Sequence, residues 1–155
     1  PHSGQIYRYQ STRALFTGVE LEGTWHLHSQ WDYHLQGDYV YTYNVADGLA
    51  LPYSPPARFS HDLTWHPTHW ALSLKHRIIA PQHRIARNEE PTPGTASLLD
   101  LAVTYDGQLR QSNYRISLAI QNILNSRYYD HMSYYRRVNL PEAGRNLLLT
   151  INLSF

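Results

Sequence analysis

Apolar and polar residues alternate one by one along most of this chain, which is the period of a β-strand rather than a helix. From Leu15 to Leu27 the odd positions include Leu15, Val19, Leu21, Trp25 and Leu27, and the even ones Glu20, Glu22, Thr24 and His26. From Trp31 to Asn44 a face of Trp31, Tyr33, Leu35, Tyr39, Tyr41 and Tyr43 alternates with Asp32, His34, Gln36, Asp38 and Asn44. Over 57–66, Phe59, Leu63 and Trp65 oppose Ser60, Asp62, Thr64 and His66, with His61 an exception on the apolar face. The pattern returns in Trp70–Ile78, Leu98–Tyr105, Tyr114–Gln121 and Asn146–Phe155. It predicts seven strands of about ten residues, with a shorter one, Gln5–Gln10, ahead of them.

Strand length is the first discriminating feature. Soluble strands average about five or six residues, whereas about nine to eleven cross a tilted path through a bilayer. Aromatic residues sit near the predicted strand ends, at Trp25, Trp31, Trp65, Trp70, Tyr105, Tyr114 and Phe155. They flank short connections at 28–30, 67–68 and 106–113, where an interfacial aromatic girdle would lie. The other connections, 45–56, 81–94 and 125–144, are longer and hold most of the nine prolines. Short turns at one end and long loops at the other form the pattern of an outer-membrane barrel. A soluble sandwich or a lipocalin-like barrel shares the periodicity with its polarity reversed. Strand length and the aromatic rim favour the membrane barrel.

Composition narrows the classes further. The 155 residues suit one domain, and no linker divides them. Thirteen Lys and Arg against twelve Asp and Glu give a net charge of +1, without the basic surplus of a nucleic-acid-binding domain. The absence of cysteine excludes disulfides, zinc–thiolate sites and thiol catalysis within this chain. Only 16% of residues are charged, yet no apolar run is long enough for a transmembrane helix. Pro1 is not an initiator, and no signal peptide follows it. The chain is therefore expected to be mature or cut from something longer.

The last third carries a motif run: Asn122-Ile-Leu-Asn125-Ser-Arg-Tyr128, then Pro141-Glu-Ala-Gly144-Arg145-Asn146, then an alternating strand to Phe155. Upstream stand Gly18-Val19-Glu20, Leu51-Pro52-x-x-Pro55-Pro56-x-Arg58, and Glu90-x-Thr92-Pro93-Gly94 leading to Leu98-Leu99-Asp100. Together and in this order they resemble the C-terminal part of TonB-dependent outer-membrane receptors, over about residues 5–155. The resemblance implies an all-β antiparallel meander of seven or eight long strands. These would be the C-terminal portion of a 22-stranded transmembrane barrel, with residues 1–155 forming one segment and the plug domain and earlier strands absent. It implies uptake of a scarce, large nutrient such as an iron–siderophore complex, haem or cobalamin across the Gram-negative outer membrane. Its implied partners are outer-membrane lipid, the TonB complex through the missing plug, and the barrel-assembly machinery, which would read Phe155 as an assembly signal. No cofactor is implied.

Candidate ligand-binding residues lie on the longest loop, expected to be extracellular: Tyr128, Tyr129, His131, Tyr134, Tyr135, Arg136 and Arg137. Aromatic faces and guanidinium groups bind anionic or planar ligands by stacking and charge, but long loops also use them for packing. The ten histidines are scattered, without the fixed spacing of a metal site. Gly144-Arg145 reads as structural, with glycine allowing a turn and arginine bonding nearby acceptors. The alternative function is a small independent barrel with protease or lipase activity. Asp130, His131 and Ser133 are the only loop residues that invite it.

Overall fold

The computed structural model describes residues 11–154. Its seven strands are β1 (Ala14–His28), β2 (Trp31–Asn44), β3 (Arg58–Trp65), β4 (Trp70–Ile79), β5 (Ala96–Leu109), β6 (Ser112–Gln121) and β7 (Asn146–Ser154). They pair antiparallel in chain order as one sheet, a strict meander. A 3-10 helix, Tyr134–Val138, lies between β6 and β7. The expected strand Gln5–Gln10 and the terminal Phe155 lie outside the described residues.

One expected boundary moves. The sequence pattern predicts a connection over 106–113, but β5 and β6 stay paired through it to Leu109↔Ser112, leaving a two-residue turn. Polar residues interrupt the alternation there, and cross-strand contacts compensate. Arg115 Nε donates to Asp106 Oδ1 at 2.6 Å. The Tyr114 ring lies where a Cβ on Gly107 would stand, so a side chain there would have to displace the ring.

Register aligns each face across the sheet. Trp25, Tyr33, Leu63, Leu74, Leu101, Ile120 and Leu147 form one row through all seven strands. Thr24, His34, Asp62, Lys75 and Asp100 form a row on the other face. The aromatic rings track the short turns. Trp25–Tyr33 centroids are 5.9 Å apart, Trp31–Trp65 6.1 Å, Trp70–Tyr105 4.7 Å and Tyr105–Tyr114 6.0 Å. Trp31–Trp65 lies one row beyond Trp25–Tyr33, Trp70–Tyr105 one row beyond that and Tyr114 one row further, so the rings follow the turns while the strands slide past one another. That slip is the shear of a tilted barrel wall.

Burial distinguishes this sheet from a soluble sandwich. Leu21 is 57% exposed, Trp25 48%, Leu118 41% and Leu149 61%. The buried side chains instead gather at the long-loop end: Ala50, Ser54, Pro56, Gln82, Ala86, Thr92, Leu98, Asn122 and His131. Leu98 lies on the polar face, paired with Arg77, and is fully buried beneath the loops. The long loops thus fold over the polar face and leave the apolar face bare, the reverse of a soluble core. At the same end β2 runs on alone with β1 from Tyr39 to Asn44, past the start of β3 at Arg58. This ledge extends the sheet by roughly 20 Å.

Candidate functional site

The three long loops form one cap at the end of the sheet. The ledge anchors the first. Thr42 Oγ1 accepts the Leu51 N–H at 3.0 Å and is hydrogen-bonded to the Ser54 hydroxyl. The second loop crosses it: Gln82 Nε2 donates to the Ser54 and Pro55 carbonyls, both at 3.0 Å. Arg84 donates to the Thr42 carbonyl at 2.8 Å and stacks 3.6 Å from the centre of the Tyr41 ring. A single antiparallel bridge, Gln82↔Thr92, closes this second loop on itself.

The third loop begins at the asparagine motif. Asn122 and Asn125 both adopt the left-handed conformation, at φ 49° and 52°, which asparagine tolerates better than most residues. Asn122 donates its backbone N–H to Asp100 and, through its amide, clasps Ser126. Asn125 Oδ1 accepts the Arg145 N–H at 2.9 Å. The same oxygen would lie 2.6 Å from a Cβ at Gly144. Gly144 thus leaves room for the Asn125 carboxamide, which a Cβ would push aside, and Arg145 contributes its backbone N–H.

The candidate ligand residues divide into two groups. His131 is buried, and its Nδ1 pairs with Thr92 Oγ1 at 3.0 Å. Arg136 turns inward as well: Nη1 donates to the Glu90 carbonyl at 2.6 Å, and Nη2 lies 3.7 Å from Glu89. Tyr129 is half-buried, with its hydroxyl between Arg127 and Asn139. Tyr134 and Tyr135 instead point outward, 67% and 53% exposed. Arg137 sits 4.7 Å over the Tyr53 ring and 6.0 Å from that of Tyr134. Tyr53, Tyr134 and Arg137 form an aromatic and cationic patch, with the exposed Tyr135 next to Tyr134 in the 3-10 helix.

Tyr128 faces the polar side of the sheet, where burial raises its phenol pKa. It borders a recess of about 330 Å³ lined by Asp38, Arg58, Lys75, Arg77 and Asp130. Arg58 is paired with Asp130 at 3.1 Å, and Arg77 with Asp100 at 2.9 Å. Lys75 also lines the adjoining recess, beside Asn146. The wall beneath the loops is thus mixed in charge.

Two features escaped sequence reasoning. Glu89 lies in a polar, proline-bearing run that reads as solvated, yet its side chain is 1% exposed. Tyr53 has φ 56° and supplies one ring of the outer patch. No spacing rule marks either, because both depend on loops distant in sequence. The enzymatic constellation does not assemble. Asp130 binds Arg58 and the Met132 N–H, His131 binds Thr92, and Ser133 caps the 3-10 helix. Among the described residues, no group of three His, Asp or Glu side chains is gathered for a metal ion.

Comparison with known proteins agrees with this architecture. The family model of the TonB dependent receptor-like β-barrel matches residues 2–123. Among solved structures the chain is similar to one described as the copper transporter OprC, with a TM-score of 0.82 and 24% identity. That likeness covers 93% of this chain and 24% of the other, so this chain spans about a quarter of the length of the protein it matches. A search of curated proteins finds no match. A meander with a bare apolar face, a loop-roofed polar face and a family match over most of its length belongs to the TonB-dependent receptor-like β-barrel family.

Proposed function

We propose that this chain is the C-terminal barrel segment of an outer-membrane TonB-dependent transporter in a Gram-negative bacterium. Its cargo is a scarce, large nutrient such as an iron–siderophore complex, haem or cobalamin. The observation that carries this reading is the polarity of the sheet: loops roof the polar face while leucines and an aromatic band stand bare on the other. Lipid covers such a face, and the roofed face becomes the lumen. The chain's small share of its solved relative fits a barrel whose plug and earlier strands lie outside it. The plug would carry the TonB contact, and the barrel-assembly machinery would insert the whole, reading Phe155 as part of its signal.

Tyr53, Tyr134, Tyr135 and Arg137 supply this chain's part of the outer ligand surface, and Tyr128 its part of the wall below. His131 and Arg136 position that surface from beneath. Stacking rings beside a guanidinium suit a planar or chelated cargo better than a bare ion. The solved relative's description as a copper transporter keeps metal cargo in view.

Deleting the gene should abolish uptake of one member of a panel of labelled ferric chelates, haem, cobalamin and copper complexes. Loss of TonB should abolish uptake of the same member. The double variant Tyr134→Ala, Tyr135→Ala should weaken its binding by about tenfold, at roughly 0.5–1 kcal/mol per exposed contact, with the assembled amount unchanged. Unaltered uptake of every member in the deletion strain would refute the transporter reading.

A further inference from the structure

The three loops meet at one buried carboxylate. Glu89 Oε1 accepts the Tyr53 N–H of the first loop at 2.9 Å. Arg136 Nη2 lies 3.7 Å from that oxygen, and His131 Nε2 lies 3.8 Å from Oε2. The side chains of Glu89, His131 and Arg136 are 1%, 0% and 10% exposed. His131 Nε2 and Arg136 Nε and Nη2 are buried without a hydrogen-bond partner. Water is largely excluded, and the ring sits between one anion and one cation.

The contacts accommodate a neutral ring. A neutral imidazole carries one N–H. With that hydrogen on Nε2 it points toward Glu89, and Nδ1 accepts the Thr92 hydroxyl. A second proton would occupy Nδ1, reverse the Thr92 bond and place a second positive charge beside Arg136. Three charged groups neighbour the ring: Arg136 from its own loop, Glu89 from the second loop, and Asp130, whose carboxylate is held by Arg58 of β3.

We propose that Glu89, His131 and Arg136 form an acid-released latch. It holds the three long loops as one cap while His131 is neutral and loosens them when His131 takes up a proton. Burial first, and Arg136 second, hold the His131 pKa below its ordinary 6.5, against the opposing pull of Glu89 and Asp130. An opened loop therefore binds the proton more readily than a closed one. The closed cap keeps its full stability above about pH 6.5 and loses it progressively as pH falls toward the depressed value. The latch goes beyond the uptake reading and takes from it only the outer-membrane setting, not the cargo or the transport.

The test uses the outer-membrane protein that contains this chain, in isolated outer membranes where reagent reaches both faces. A cysteine is placed at Ala86, 6% exposed in the second loop. Its labelling rate by a water-soluble maleimide is divided by that of a cysteine at the exposed Asn88 at each pH. The ratio should rise about tenfold between about pH 7.5 and about pH 5. His131→Gln should flatten the profile. Glu89→Gln should shift the midpoint to lower pH and Arg136→Gln to higher pH. A flat profile in the parent protein, or the same step in His131→Gln, would overturn the latch. So would midpoints unmoved in both charge variants, which decide the matter even if His131→Gln opens the loops at every pH.

Discussion

Individual residues do two kinds of work here. Some are fixed by close approach: Gly144 yields to the Asn125 carboxamide, and Gly107 lies under the Tyr114 ring. Others are fixed by the medium they face. Leu118 is 41% exposed on the bare face, beside Val103 and Leu149 in its row, and four residues from the rim residue Tyr114. That spacing puts it roughly 10 Å along the wall from the aromatic band, near mid-membrane. Leu118→Lys should therefore destabilise the assembled barrel by about 2–4 kcal/mol, read as a lower urea midpoint in lipid. The same change on a solvated face would cost almost nothing, so an unchanged midpoint would argue against lipid contact. In sequence, Leu118 is marked by alternation alone. Gly144 and Asn125 stand nineteen positions apart and could be matched to one another only through the folded loop.

At the scale of elements, strands were far more legible than connections. A strand announces itself through neighbours two residues away. A long loop owes its shape to groups that distant parts of the chain bring to it. The meander puts the three long loops at one end and the short turns at the other. The proposed orientation places the long loops outside the cell. A cysteine at Ser133, which caps the 3-10 helix, should be labelled on intact cells by an impermeant reagent. A cysteine at Gln108, near the β5–β6 turn, should be labelled only after the outer membrane is permeabilised. Reversed labelling would invert the topology while leaving the fold intact.

For the whole molecule, the two outermost strands matter most. Among the described residues β1 and β7 each pair on one side only, and every described residue of β7 is exposed. Unpaired backbone groups are not tolerated in hydrocarbon, so such a sheet exists in a membrane only as part of a closed wall. In the proposed full barrel, closure would join β7 to a strand outside this chain, and the proposed assembly factor would have to find β7 before that happens. If the proposed signal at Phe155 is correct, deleting that residue should sharply lower the amount of receptor assembled in the outer membrane. The melting temperature of barrels that do assemble should change little. A normal assembled amount with a lower melting temperature would reduce Phe155 to one more rim aromatic.

The sequence by itself determined the class of structure, the approximate positions of the seven described strands apart from the turn-ward ends of β5 and β6, and the two faces of each strand, and it pointed to the family. All of these rest on interactions between near neighbours, or on an alternation that any two-faced sheet must show. Periodicity alone could not say which face turns inward, because a soluble core and a lipid-facing wall alternate identically. Tertiary structure decided that by folding the long loops over the polar face and burying Leu98 beneath them. It also sorted the candidate loop residues, turning Tyr134 and Tyr135 outward and drawing His131 and Arg136 onto the buried Glu89. The physical reason is that a charged side chain is buried only where partners converge on it, and here the partners come from three loops separated by dozens of residues.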